Sequence, residues 1–142
     1  MKILPALIIT GSICLAFAQP RDVTPSKRQR TDDNPMQRAP DSARARRNPF
    51  EGKAVEAAAG GKLFQQHCAE CHGPKAGGTT RAPGLFRGEV REAPPGALFW
   101  VLTNGVVRHG MPVWSKLPEQ QRWQIVTFLE ALNKSAEASV EH

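Results

Sequence analysis

From Lys53 onward the chain carries three stretches in which apolar positions recur at helical spacing. Ala57, Gly60, Gly61, Phe64 and Cys68 fall on one face of a helix predicted over Lys53 to Ala69. That face is small at its centre and aromatic at one end. Two interior glycines are each unfavourable by about 1 kcal/mol relative to alanine, so their presence predicts another helix approaching closely there. Pro94-Pro95 and Asn104-Gly105 bracket a short helix, Ala97 to Thr103, whose Leu98, Val101 and Leu102 face inward. A last helix starts at Pro118 and carries Ile125, Phe128, Leu129 and Leu132 on one face, with Trp123 and Val126 beside them. The first and last helices are expected to cross, with Phe128 near Gly60. No segment alternates convincingly as a strand, so the fold class is all-α, a small domain of about three main helices.

Ahead of these helices the pattern changes twice. Lys2 supplies a positive start, Ile3 to Phe17 is mostly apolar, and Ala16-Phe17-Ala18 offers a small-x-small cleavage site, so 1–18 reads as an export signal. The apolar run falls short of the roughly 20 residues a spanning helix needs, which leaves an uncleaved membrane anchor as the alternative. Cys14 lies inside this leader, and Ile13 before it is a poor fit to a lipoprotein site. Residues 19–48 hold several prolines, many arginines and few large apolar residues, with no persistent period, and are expected to be a disordered basic tail. The remaining 49–142 would be the domain.

Charge follows the same division. The tail carries eight Lys or Arg against four Asp, while Pro49 onward carries ten basic and nine acidic residues, so the basic balance belongs to the tail. Such a tail suits an anionic membrane or acidic partner, or serves as a solvated tether. It has no aromatics to stack bases, and nucleic acid is not an expected partner.

Cys68-Ala69-Glu70-Cys71-His72 is the feature with chemistry in it. Two thiols three positions apart can form thioethers to the two vinyl edges of one haem, while the next residue presents a nitrogen to the iron. Two other readings stand beside this one. A zinc half-site needs a second ligand pair, for which only His67, His72 and His109 are near in sequence. A redox dithiol wants a βαβ context that is not seen here. With Cys14 removed in the leader, Cys68 and Cys71 are the remaining cysteines and no disulfide is expected.

A six-coordinate haem needs a second ligand opposite His72, and a thioether favours reduced iron and raises the potential. Met111 lies in Gly110-Met111-Pro112, where glycine frees the approach of the chain and proline stiffens its exit. His109 is the alternative ligand, and an open iron site is the third possibility. Met1 and Met36 are set aside because they fall in the leader and the tail.

Taken together, these residues resemble the class I monohaem c-type cytochromes, and the resemblance covers Lys53 to about Lys134. The family's run of glycine, aromatic and attachment motif matches Gly60, Phe64, Cys68, Cys71 and His72, and Gly110-Met111-Pro112 matches its Gly-Met-Pro. Its C-terminal helix aromatic is similar to Phe128. The resemblance implies that the Pro83 carbonyl accepts a hydrogen bond from the proximal imidazole and that Leu85 packs on the haem. One departure is the absence of tyrosine, so any propionate hydrogen bond would come from Trp100, Trp114, an arginine or backbone.

What the resemblance implies is one covalently attached haem c and single-electron transfer between redox proteins. A dehydrogenase, an oxidase or a respiratory complex would be the partner, with the chain exported to the periplasm and monomeric. The alternatives are a haem subunit of a periplasmic dehydrogenase complex and, further off, a gas-binding or peroxidase-like haem protein. On the expected reading the chain is a carrier and no residue is catalytic.

Overall fold

The computed structural model describes residues 34–138. The expected leader, and the tail as far as residue 33, lie outside the described residues. In chain order the helices are α1 (Asp41–Arg44), α2 (Ala54–His67), α3 (Ala69–His72), α4 (Gly88–Glu92), α5 (Pro95–Asn104) and α6 (Glu119–Ala138), with a 3-10 turn at Val107–His109. Among the described residues there is no strand, only a lone antiparallel bridge between Val106 and Met111. The fold is all-α, and α2, α5 and α6 are its long helices. None of the described helices is long and apolar enough to cross a membrane.

Local chemistry places the ends. Pro94 is extended and Pro95 occupies the first turn of α5, where its missing N–H loses no helix bond. Gly105 ends α5 at φ +68°, its N–H returning to the Val101 carbonyl at 2.7 Å. At Pro118 the chain turns into α6, whose fourth residue, Arg122, donates its N–H to the Pro118 carbonyl at 3.1 Å.

The most extensive helix contact is between α2 and α6. A methyl group added at Gly60 would collide with the Gln124 carbonyl, so the two backbones touch here. At Gly61 it would meet the Phe128 ring at 3.2 Å. The expected partner of Gly60 is therefore displaced by one position: Phe128 covers Gly61, because direct backbone contact leaves no room for a ring at Gly60. Phe128 also packs on Phe64 with ring centroids 5.3 Å apart. The Gln124 amide donates to Glu56 at 2.7 Å beside the crossing.

Residues 34–48 correct the expectation of a disordered tail. Met36 and Ala39 are buried, and Met36 joins the core cluster of Leu98, Phe99, Val101, Val106, Trp123 and Val126. The segment is a strap across α5 and α6. Gly96 lets it pass, since a methyl there would strike the carbonyl of Ala43. Asn34 Oδ1 accepts the Met36 N–H at 2.8 Å, and Arg44 donates to the Met36 carbonyl at 3.0 Å, which fixes the turn. Arg46 pairs with Glu119 and lies over Phe99 and Trp123, 4.5 and 5.2 Å from their centroids. Buried Asn48 donates to Thr127 at 2.9 Å and Glu130 at 2.6 Å, and its oxygen accepts the Phe50 N–H at 2.9 Å. Composition misleads here because arginine stems and a single Met do the packing that a hydrophobic run does elsewhere.

The apolar interior falls into two clusters. The one containing Met36 lies under α5 and α6; the other gathers Phe64, Ala76 and Leu129, with Cys68, Leu85, Phe86, Phe128 and Leu132 half-buried against it.

Candidate functional site

The helix that begins at Ala54 breaks at Cys68, whose φ −120° and ψ −32° lie off the helical values. It restarts at once: Cys71 and His72 N–H both return to the Cys68 carbonyl, at 3.1 and 2.9 Å. Gly73, at φ +79°, then ends the short α3. The break thus presents Cys68, Cys71 and His72 from a single tight turn. Cys68 is half-buried and Cys71 exposed, and they are not bonded to each other.

Burial, and to a smaller degree neighbouring Cys71, push the Cys68 thiol up to about 11. An attacking thiol of a redox dithiol has the opposite shift, toward the thiolate, so this pair is poorly suited to thioredoxin-type exchange. Among the described residues no three His, Cys, Asp or Glu side chains converge on one point, which leaves the zinc reading without its second ligand pair.

The loop after α3 returns beneath His72. Its Nδ1–H donates to the Pro83 carbonyl at 2.8 Å. That bond assigns the proton to Nδ1 and leaves Nε2 as the lone-pair nitrogen, free for a metal. Backbone contact between the two limbs of the loop holds Pro83 in place: a methyl on Gly78 would lie 2.6 Å from Gly84 N, and one on Gly84 2.8 Å from Gly77 O. Gly78 N–H donates to His72 O and Leu85 N–H to Ala76 O, both at 2.8 Å. Thr79 Oγ1 donates to the Cys71 carbonyl and accepts the Arg81 N–H, and Arg81 pairs with Glu70 at 2.8 Å. The latter pair is exposed and contributes little to stability. The sequence pattern assigns no role to these loop glycines or to Thr79, since their contacts form only when the two limbs of the loop lie together.

Met111 sits on a second constrained loop. Val106 and Met111 exchange backbone bonds, at 3.0 and 3.2 Å, around the 3-10 turn and the left-handed Gly110. Gly105 lies so close to this loop that a methyl there would be 2.7 Å from Pro112 O and 2.8 Å from Met111 O. Met111 is half-buried against the Met36 cluster, whereas His109 is exposed. Beyond it, Trp114 donates its backbone N–H to the Leu102 carbonyl at 3.2 Å, and its ring packs on His67 with centroids 5.2 Å apart. Trp100 is half-buried on α5 beside the same cluster.

Apolar side chains stand beside both the attachment turn and the Met111 loop. Cys68, Ala69, Leu85 and Phe86 are half-covered against one cluster, and Val90, Ala93, Trp100 and Met111 against the other. Half-covered apolar side chains beside the thiol pair, and others beside Met111, suit contact with an apolar prosthetic group such as covalently held haem.

The family model described as cytochrome c oxidase, cbb3-type, subunit III covers residues 55–129, more than half of the chain. No curated protein matches the chain significantly.

Proposed function

The chain belongs to the cbb3-type cytochrome c oxidase subunit III family, a class I c-type cytochrome domain, and from that premise we propose that it carries one haem c with His72 and Met111 as axial ligands, passing single electrons between exported respiratory proteins. The family supports covalently bound haem and haem-based electron transfer. When bound, that haem supplies an iron that alternates between ferric and ferrous states. The ligands, the single copy and the setting are the further reading. Its principal support is the 2.8 Å bond from His72 Nδ1 to Pro83 O, which aims the other ring nitrogen away from the loop as an iron ligand requires.

On this reading Cys68 and Cys71 anchor the vinyl edges. His72, kept to one tautomer by Pro83, holds its nitrogen at constant orientation. Met111 would offer its sulfur from a loop whose backbone is closed by its own bridge, which holds the loop's shape. Leu85 and Phe86, half-buried in the same cluster as Cys68, would keep water from that side, and Trp100 from the side of Met111. The residues 1–18 are proposed as an export leader, which places the working domain in the periplasm.

Two substitutions test the proposal. Cys71→Ala is expected to lower covalent haem retention after denaturation, and full retention contradicts attachment at this site. Met111→Ala is expected to lose the near-infrared sulfur-to-iron band of the ferric protein and to gain rapid carbon monoxide binding when reduced. Carbon monoxide binding by the unaltered protein at neutral pH would instead favour a gas-binding or peroxidase-like role.

The family match also favours a second form of the same function, in which the domain works as a fixed subunit of an oxidase complex rather than as a diffusing carrier. Co-purification with other haem subunits from solubilised membranes separates the two.

A further inference from the structure

His67 and Trp114 form a contact that the ligation scheme does not use. His67 is the last residue of α2 and immediately precedes Cys68; Trp114 lies three positions beyond Met111. Their rings are half-buried, 5.2 Å apart and tilted by 54°, within the range of a favourable aromatic pair.

The location of this pair gives it a consequence. The loop bearing Met111 is closed on itself by the Val106–Met111 bridge and packs closely on Gly105, the residue that ends α5. On its exit side the Trp114 backbone N–H is bound to Leu102, again on α5. The contacts at Gly105 and Leu102 both fix the loop to α5. By contrast, Cys68, Cys71 and His72 are carried by the end of α2 and by α3. The helices α2 and α5 both pack on α6. The two halves thus share a packing partner in α6, and Trp114 joins them directly where its ring meets His67.

We infer that the His67–Trp114 pair is a positioning clamp: it spans the two halves directly and sets how firmly Met111 is held at its ligating position. Neither ring touches iron, and the effect is exerted through Met111. The inference rests on the His72/Met111 ligation proposed above. Losing the pair favours conformers in which the loop stands away from the attachment turn, and in those an external ligand competes more successfully with the sulfur.

The test uses the haem-loaded full chain and imidazole as the competing probe, titrated into the ferric protein while the sulfur-to-iron band is followed. His67→Ala and Trp114→Leu are each expected to raise imidazole affinity roughly two- to ten-fold, the range that one aromatic pair supplies. The double variant is expected to exceed either single variant by little, because both remove one interaction. His67→Phe and Trp114→Phe keep a ring on each side and are expected to restore affinity toward that of the unaltered protein, which a general loosening of the fold would not do. Unchanged affinity in both His67→Ala and Trp114→Leu, with the band present, overturns the clamp alone. Strictly additive effects in the double variant do the same. If the unaltered ferric protein lacks the band, the ligation reading falls and the clamp falls with it. His67→Ala carries the test should Trp114→Leu fail to load haem.

Discussion

Buried Asn48 is the best-connected polar residue of the strap. Its amide satisfies Thr127 and Glu130 on α6 while its oxygen holds the Phe50 N–H, so one side chain joins the strap, the following turn and the last helix. Asn48→Ala leaves several of these partners unpaired and is expected to destabilise the protein by about 1–3 kcal/mol, read from denaturant midpoints. Glu130 has its own signature. Burial raises its carboxyl above the ordinary value of 4.5, with Glu51 acting in the same direction and the Asn48 bond and Lys134 opposing. A carboxyl whose folded value is raised favours folding while it is protonated in both states. That contribution is present below about 4.5 and is lost as pH rises through the folded value. Glu130→Gln is therefore expected to be more stable than the unaltered protein at pH 7 and to lose that advantage on acidification. A thermal-midpoint series against pH checks it, and an advantage that grows toward acid pH refutes the assignment.

Among the helices, legibility in the sequence depended on whether the signal was local. The three long helices could be read because their periods and proline or glycine boundaries are written within each segment. The crossing of α2 and α6 was legible from two glycines that nothing local explains, but not its register, because the ring's position depends on which glycine the opposing backbone takes. The structure makes the two glycines unequal. Gly60→Ala drives a methyl into the backbone of Gln124, whereas Gly61→Ala meets only the edge of the Phe128 ring, which can turn aside. Overpacking typically costs about 1–3 kcal/mol and more against backbone, so Gly60→Ala is expected to lower the midpoint much further than Gly61→Ala. Equal effects would show that the helices do not meet as described. The turn that presents Cys68, Cys71 and His72 was legible because the three lie within five residues of sequence. The loop beneath it was not, since Gly78 and Gly84 matter only once two limbs of backbone lie together.

At the scale of the whole molecule, the boundary drawn at Pro49 is where reading composition went furthest astray. The strap contributes few apolar side chains, and their burial depends on Gly96, nearly fifty residues later, yielding space to its carbonyls. A chain beginning at Pro49 lacks Met36, Ala39 and Asn48, and is expected to unfold at a clearly lower midpoint than one beginning at Asn34, with Gly96→Ala in the full chain approaching the truncated behaviour. Identical midpoints for the two lengths would show that the strap adds nothing to the fold.

Because the strap is docked at Asn34, the link between residue 18 and the docked strap has at most 15 residues, rather than the 30 that end at Asn48. At roughly 3.3–3.6 Å per extended residue, its greatest reach falls from about 100 Å to about 50 Å. Any surface that holds the chain at its leader would keep the electron-carrying domain within that shorter radius, and would confine the acceptors it can visit to the same shell.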